Sequence, residues 1–292
     1  MKIEAERISV CLALIFLLTG NSVAIAGEAS SPQFNEERSK QEQIYQSTGD
    51  QRPDGYVIDR PLSRYAEALS PGFDRALWLL GPSDRWLDIG AGAGQAILDY
   101  VSPALIDGRL RSGGMAQAVA MSIEDRRNPA WNRTAENLKA NTIRYLANKR
   151  LRDYTLEELG RFQLITDVIG GFSYVENLSR YMENVLGFLQ LNGTFFTVLQ
   201  DVHSEEGTNK PFYPNAAYLT VIKKPDGADL KVCDWLKSIS CVAVTCELKP
   251  GWKPPIESYS IRKTCNEVKV PALDTIHFVA GTPPERRFQL AR

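Results

Sequence analysis

The sequence predicts an α/β fold, a mostly parallel sheet covered by helices on both faces, and three features of its 292 residues carry that expectation. Short apolar runs of strand length alternate with amphipathic stretches of helical period, the pattern that builds parallel sheets through crossover helices. One strand-to-helix junction, Arg85-Trp86-Leu87-Asp88-Ile89-Gly90-Ala91-Gly92-Ala93-Gly94-Gln95, carries three glycines at alternate positions. Near the end, runs at 240–248 and 256–263 flank Lys249-Pro250-Gly251-Trp252, which reads as an antiparallel hairpin.

The elements follow in order. Leu62, Tyr65, Ala66 and Leu69 share one helical face, and Phe73, Ala76, Leu77 and Leu80 share another before Gly81-Pro82. A strand then ends on Asp88, and Ala96, Ile97 and Tyr100 recur at helical spacing to about Val101. Ala116 to Met121 is a second strand, Pro129 to Leu138 a helix, and Thr142 to Leu146 a third strand. Thr155-Leu156-Glu157-Glu158 is a capping box that opens a short helix. Phe162 to Asp167 is a fourth strand, followed by a glycine-containing loop with aromatics, Gly170-Gly171-Phe172-Ser173-Tyr174. A helix over 179–191 ends at Asn192-Gly193 in the left-handed manner, and Thr194 to Leu199 is the fifth strand. Residues 201–230, rich in Glu, Asn, Pro and Gly, read as a loop on the ligand side, and 231–238 as a helix.

Composition excludes some function classes. Lys+Arg 34 against Asp+Glu 35 gives a net charge of −1, so no basic field points to nucleic acid. A charged start, an apolar run from Ile8 to Leu18 and an Ala24-Ile25-Ala26 end read as a signal peptide, 1–26, of an exported (periplasmic or secreted) protein. An apolar N-terminal anchor is the other reading, although the run is short for a span. The expected divisions are therefore a signal at 1–26, a flexible leader at 27–55, one domain at 56–280 and a tail at 281–292. Four cysteines outside the signal suggest two disulfides, and folding the hairpin about Trp252 or Lys253 sets Cys241 almost opposite Cys265, leaving Cys233 for Cys246. Reduced, buried thiols are the alternative. The absence of C-x-x-C spacing and the presence of only two histidines argue against zinc.

A dinucleotide fingerprint needs a third glycine where Gln95 stands, which disfavours a nicotinamide enzyme. The register D-x-G-x-G-x-G instead resembles the first motif of the class I S-adenosylmethionine-dependent methyltransferases. The 162–199 block is similar to that family's fourth and fifth strands. The resemblance spans about 56–263. It implies a Rossmann-like seven-stranded sheet with an antiparallel C-terminal hairpin, S-adenosyl-L-methionine as cofactor, and binding by Asp88, Gly90, Ala91, Gly92, Gly94, Asp167 and Val168. Its usual acid after the second strand falls on Ser122 here, so Glu124 is the nearest replacement for holding ribose; an acid that merely opens the next helix is the other reading. No Asp stands where the family often holds adenine, and Asn148 and Lys149 occupy that region. Tyr65 and Tyr174 are candidates for the acceptor pocket. His203, just past the fifth strand, is the candidate base for an O–H or N–H acceptor. A small-molecule acceptor is expected, with no nucleic acid and no membrane span after signal cleavage. The alternative is an exported cofactor-fold domain that binds a ligand or partner without catalysis.

Overall fold

A run of four consecutive buried residues, Trp86 to Ile89, makes β1 (Arg85–Ile89) a strand covered on both faces, as a central parallel strand must be. In the computed structural model the described residues are 32–36, 38–39, 59–102, 115–139, 141–200, 221–252, 256–274 and 288–291. Residues 32–36 form a helical turn, α1, and 38–39 are also helical. There follow α2 (Leu62–Ala68), α3 (Gly72–Trp78), β1, α4 (Gln95–Val101), β2 (Gln117–Met121), α5 (Pro129–Asn137), β3 (Ile143–Leu146), α6 (Leu156–Leu159), β4 (Phe162–Val168) and α7 (Gly171–Tyr174). The chain continues with α8 (Leu178–Phe188), β5 (Leu189–Gln200), β6 (Val221–Lys223), β7 (Asp229–Lys231), α9 (Val232–Lys237), β8 (Val242–Lys249), β9 (Ile256–Lys263), β10 (Leu273–Asp274) and β11 (Phe288–Leu290).

The main sheet has seven strands in the order β3-β2-β1-β4-β5-β9-β8. The first five are parallel, while β9 runs antiparallel to both β5 and β8. Order reverses between β1 and β4, so the crevice beyond their carboxyl ends is where such sheets take ligands. One face carries α2, α3, α4 and α5 over Trp86, Leu164, Phe196 and Val198. The other carries α8 and α9 over Leu87, Ile165, Phe195 and Ile261. The expected fold class is observed, as are both expected disulfides, Cys233–Cys246 and Cys241–Cys265.

Four expectations are corrected. The helix expected to reach Leu191 stops at Phe188, and the chain enters β5 at once. Asn192 does adopt φ 64°, but within a bulge: Phe162 pairs with Leu189 while Leu164 pairs with Thr194, so 190–193 face a single residue of β4. Residues 221–230, expected as loop, and Lys231, expected to open a helix, form the β6–β7 hairpin of a second sheet ordered β10-β11-β6-β7. Phe288–Leu290, expected in a tail, pairs parallel with β6, burying Phe288 beside Ile222 and Leu273. Within the expected leader Phe34 is buried, with the Arg150 guanidinium 5.7 Å from its ring centroid. The proposed signal at 1–26 lies outside the described residues, among which no helix is long and apolar enough to cross a membrane.

Candidate active site

After β1 the chain turns through Gly90, Gly92 and Gly94 at φ 74°, 58° and 86°, a conformation that glycine alone adopts without cost. The Gly90 and Ala91 amides both donate to Met121 O, at 2.9 and 3.0 Å, which ties this loop to the end of β2. A Cβ at Gly90 would lie 2.8 Å from Gly170 Cα, and one at Gly94 would lie 2.5 Å from the Trp131 ring. Two of the three glycines therefore make room for the chain's own backbone and indole. Trp131 is positioned by the Asn128 side chain, which caps α5 by accepting from Trp131 N at 3.0 Å. Beside it stands Tyr145, edge to face at 5.3 Å, with its hydroxyl against Gly92 O and Glu124 O.

Asp88 is wholly buried at the end of β1. Its Oδ1 accepts from Thr166 Oγ1 at 2.7 Å and its Oδ2 from the Tyr65 hydroxyl at 2.8 Å; Trp86 Nε1 donates to Thr166 Oγ1 at 2.8 Å. Burial pushes the Asp88 carboxyl up to about 7, against the pull of the Thr166 and Tyr65 hydroxyls. Tyr65, a candidate for the acceptor pocket, is thus spent on Asp88, and burial beside that carboxylate raises its own phenol well above the usual value.

Asp167 stands one residue before the end of β4, on the opposite face. Its Oδ1 accepts from Gly170 N and its Oδ2 from Phe172 N, both at 2.7 Å, and the Tyr181 hydroxyl also donates to Oδ2. Burial pushes it up to about 6. Val168 is buried in the core, and next to it Ile169 adopts φ 58°, a costly conformation for a β-branched residue. Strain there is held by Asp167 on one side and by the Gly90–Gly170 contact on the other. Tyr174 closes α7 and is half-buried.

Glu124 stands at the carboxyl edge beyond β2, half-buried. Its Oε2 accepts from Arg126 Nε at 3.0 Å, and among the described residues Oε1 takes no partner. Ser122 is buried, its Oγ 3.5 Å from Glu124 N. Asn148 adopts φ 64° just past β3.

The segment before β1 lies over this edge. Asp59 Oδ1 accepts from Gln95 N at 3.2 Å, and Leu62 N donates to Asp99 Oδ2 at 2.8 Å. Lys249 Nζ, from the β8–β9 hairpin, donates to Glu67 O at 2.8 Å and to Leu69 O, capping α2. The Arg64 guanidinium sits 3.8 Å from the Trp252 ring centroid.

The structure thus gathers Asp88, Gly90, Ala91, Gly92, Gly94, Glu124, Asp167 and Val168 along one edge, and His203 lies outside the described residues. Sequence reasoning missed Thr166, Tyr181, Trp131, Tyr145 and Lys249. Thr166 alone had a local signal, a polar residue inside an apolar strand.

No family model matches the sequence, and no curated protein matches it. Among solved structures the chain is similar to the N-methyltransferase NodS from Bradyrhizobium japonicum with S-adenosylhomocysteine, at 12% identity and TM-score 0.42, covering 75% of this chain and 98% of that one. It is similar to the plantazolicin methyltransferase BpumL with S-adenosylhomocysteine, at 14% identity and TM-score 0.48, covering 80% and 99%. It is also similar to YjhP from E. coli, at 11% identity and TM-score 0.47, covering 77% and 100%.

Proposed function

We propose that this chain is a class I S-adenosylmethionine-dependent methyltransferase acting on a small-molecule acceptor. The observation that carries the reading is the meeting, at the switch in strand order, of the Gly90–Gly94 loop, the Glu124 loop and the strained Ile169–Gly171 turn. The donor and acceptor set fits the cofactor. Glu124 Oε1 is an unused acceptor suited to ribose hydroxyls, and takes over from the acid that Ser122 replaces. Main chain at Ala91, Gly92 and Ala93 offers close approach to the amino-acid end.

When bound, S-adenosylmethionine supplies a methyl group already activated on sulfur, so the protein's share is alignment and exclusion of water. Asp88 and Tyr65 hold the α2 cover down over the edge, and Asp167 holds the Ile169–Gly171 turn in its strained form. Tyr174 borders the acceptor. His203 takes the proton from an acceptor O–H or N–H.

Calorimetric titration of the full chain with S-adenosylmethionine and S-adenosylhomocysteine tests the reading. Binding is expected, weakened about tenfold or more by Glu124→Ala as the loss of hydrogen bonds to a charged acceptor requires, and a flat titration of the folded wild type overturns it. His203→Ala is expected to leave that affinity unchanged and to slow release of S-adenosylhomocysteine in an acceptor screen. A second reading, a cofactor-fold domain that binds without catalysis, draws on Gly90 and Gly94 being filled by the chain itself. Binding with no turnover on amine, hydroxyl, thiol or carboxylate acceptors favours it.

A further inference from the structure

The two disulfides differ in their surroundings. Cys241–Cys265 joins a turn residue at φ 63° to the chain two residues past β9, and Cys241 Sγ faces Glu267 O. Cys233–Cys246 joins the first turn of α9 to the middle of β8, and a carboxylate stands against it. The two sulfurs and a Glu257 carboxylate oxygen all lie within 4.8 Å of one another. Glu257 Oε2 accepts from the Tyr259 hydroxyl at 2.6 Å, and Tyr259 is buried directly across from Cys246 in the β8–β9 register. Among the described residues no cation pairs with Glu257.

A carboxylate has nothing to gain from a neutral disulfide. Beside two thiolates and a divalent cation it is a ligand, oriented by an outer hydroxyl as ligating carboxylates are. Sulfurs and oxygens around a tetrahedral zinc ion sit about 3.5–3.8 Å apart, so the three donors need shifts of about 1–2 Å once the S–S bond is cut, within reach of side-chain rotation. Soft thiolates with one carboxylate suit zinc rather than calcium or magnesium. Three protein ligands leave a fourth position for water.

We propose that Cys233, Cys246 and Glu257 form a zinc site when the Cys233–Cys246 bond is reduced. Reduction by a dithiol passes two electrons and two protons to the protein, opening the disulfide to two thiols while the dithiol becomes a disulfide. Zinc then displaces the two thiol protons and bonds both sulfurs and Glu257. The metal holds α9 against β8 as the disulfide did, so the same helix is stapled in an oxidising or a reducing compartment. The sequence hid this site because Glu257 comes from a different strand, and neither cysteine spacing nor histidine count announces it.

Anaerobic cobalt titration of the fully reduced full chain tests the proposal. One equivalent should produce a sulfur-to-cobalt charge-transfer band and the visible bands of tetrahedral coordination, and zinc should bleach both. Cys241→Ser/Cys265→Ser should keep these bands, Cys233→Ser should abolish them, and Glu257→Gln should weaken cobalt binding about tenfold or more. The oxidised chain should give none. Absence of the bands in reduced wild type, their survival in Cys233→Ser, or unchanged affinity in Glu257→Gln overturns the proposal. Glu257→Gln, which keeps both cysteines, decides the matter if Cys233→Ser fails to fold. The outcome does not depend on cofactor binding at the glycine loop.

Discussion

Asp88 and Asp167 are next to last in neighbouring strands and are both wholly buried, yet they face opposite sides of the sheet and take their partners from different distances along the chain. Asp167 is held locally: two amides from its own turn and a hydroxyl one helix away all lie within fourteen residues of it. Asp88 is held from afar, by the Tyr65 hydroxyl of α2 and by Thr166 of β4. Burial raises both carboxyls, Asp88 to about 7 against the Thr166 and Tyr65 hydroxyls, and Asp167 to about 6 against the Tyr181 hydroxyl and then the Phe172 and Gly170 amides. One carboxylate therefore fixes a loop's shape, and the other depends on whether the cover is down.

The largest effect expected is on the locally held group. Asp167→Ala strands the buried Phe172 amide and the half-buried Gly170 amide, each worth about 1–3 kcal/mol, and should cost about 3–4 kcal/mol in denaturant unfolding. Compared near pH 4, where the raised carboxyls are protonated in the folded state, Asp88→Ala should cost about half of that, since hydroxyls of Tyr65 and Thr166 can turn to other acceptors. Equal losses would erase the distinction.

Next comes pH. A carboxyl whose folded pKa is raised contributes stability that is full below its unfolded pKa and is lost as pH rises through the folded one. Asp88 moves from 3.8 to about 7, so its penalty should grow between about pH 4 and 7 and level off above. Each tenfold in proton affinity is worth about 1.4 kcal/mol, giving a ceiling of about 4 kcal/mol. Asp88→Asn keeps the shape without the charge, and its stability relative to wild type should rise across that range. A pH-independent difference would show that the carboxyl is not the titrating group.

Much of this was legible in the sequence because it is local. The periods of Leu62 to Leu69 and Leu178 to Leu186, the Thr155 capping box and the Gly90–Gly94 spacing are each set within a few residues, and each has its place in the structure. The Cys241–Cys265 pairing was readable because a hairpin's register follows from its turn. What stayed hidden is long-range. Nothing near Gly94 announces that Trp131 will fill its Cβ space, nor does anything near Asp88 announce Tyr65. The second sheet draws on strands of two or three residues from three separate stretches, too short for alternation to be counted. Leu189 to Asn192 continues the helical apolar pattern, but pairing with β4 outweighs propensity there.

If Asp88 depends on the cover, whatever holds the cover should matter more to that side. Lys249→Met removes the cation that caps α2 at Glu67 O and Leu69 O and should cost about 1 kcal/mol. Amide exchange should quicken in 62–69 and remain slow in α8, which the buried Lys263 caps through Leu186 O and Leu189 O. Lys249→Arg should restore slow exchange. Equal quickening in both helices would mean global loosening rather than release of the cover.

The smallest effect expected is at the exposed end of the same latch, where the Arg64 guanidinium lies over Trp252. Arg64 also pairs with Glu67 on its own helix, at 2.6 Å. An exposed pair of that kind is worth little, and a guanidinium over an indole contributes about 0.5–1 kcal/mol. Arg64→Met, Trp252→Leu and the double variant form a cycle in which each single change keeps apolar bulk. A coupling of about 0.5 kcal/mol is expected in denaturant unfolding of the full chain, and Glu67→Gln should leave it unchanged. A coupling near zero would make Lys249 the one polar tie between hairpin and cover among the described residues. A coupling that vanishes in Glu67→Gln would mean that the helix's own ion pair, rather than the hairpin, sets where the Arg64 side chain lies.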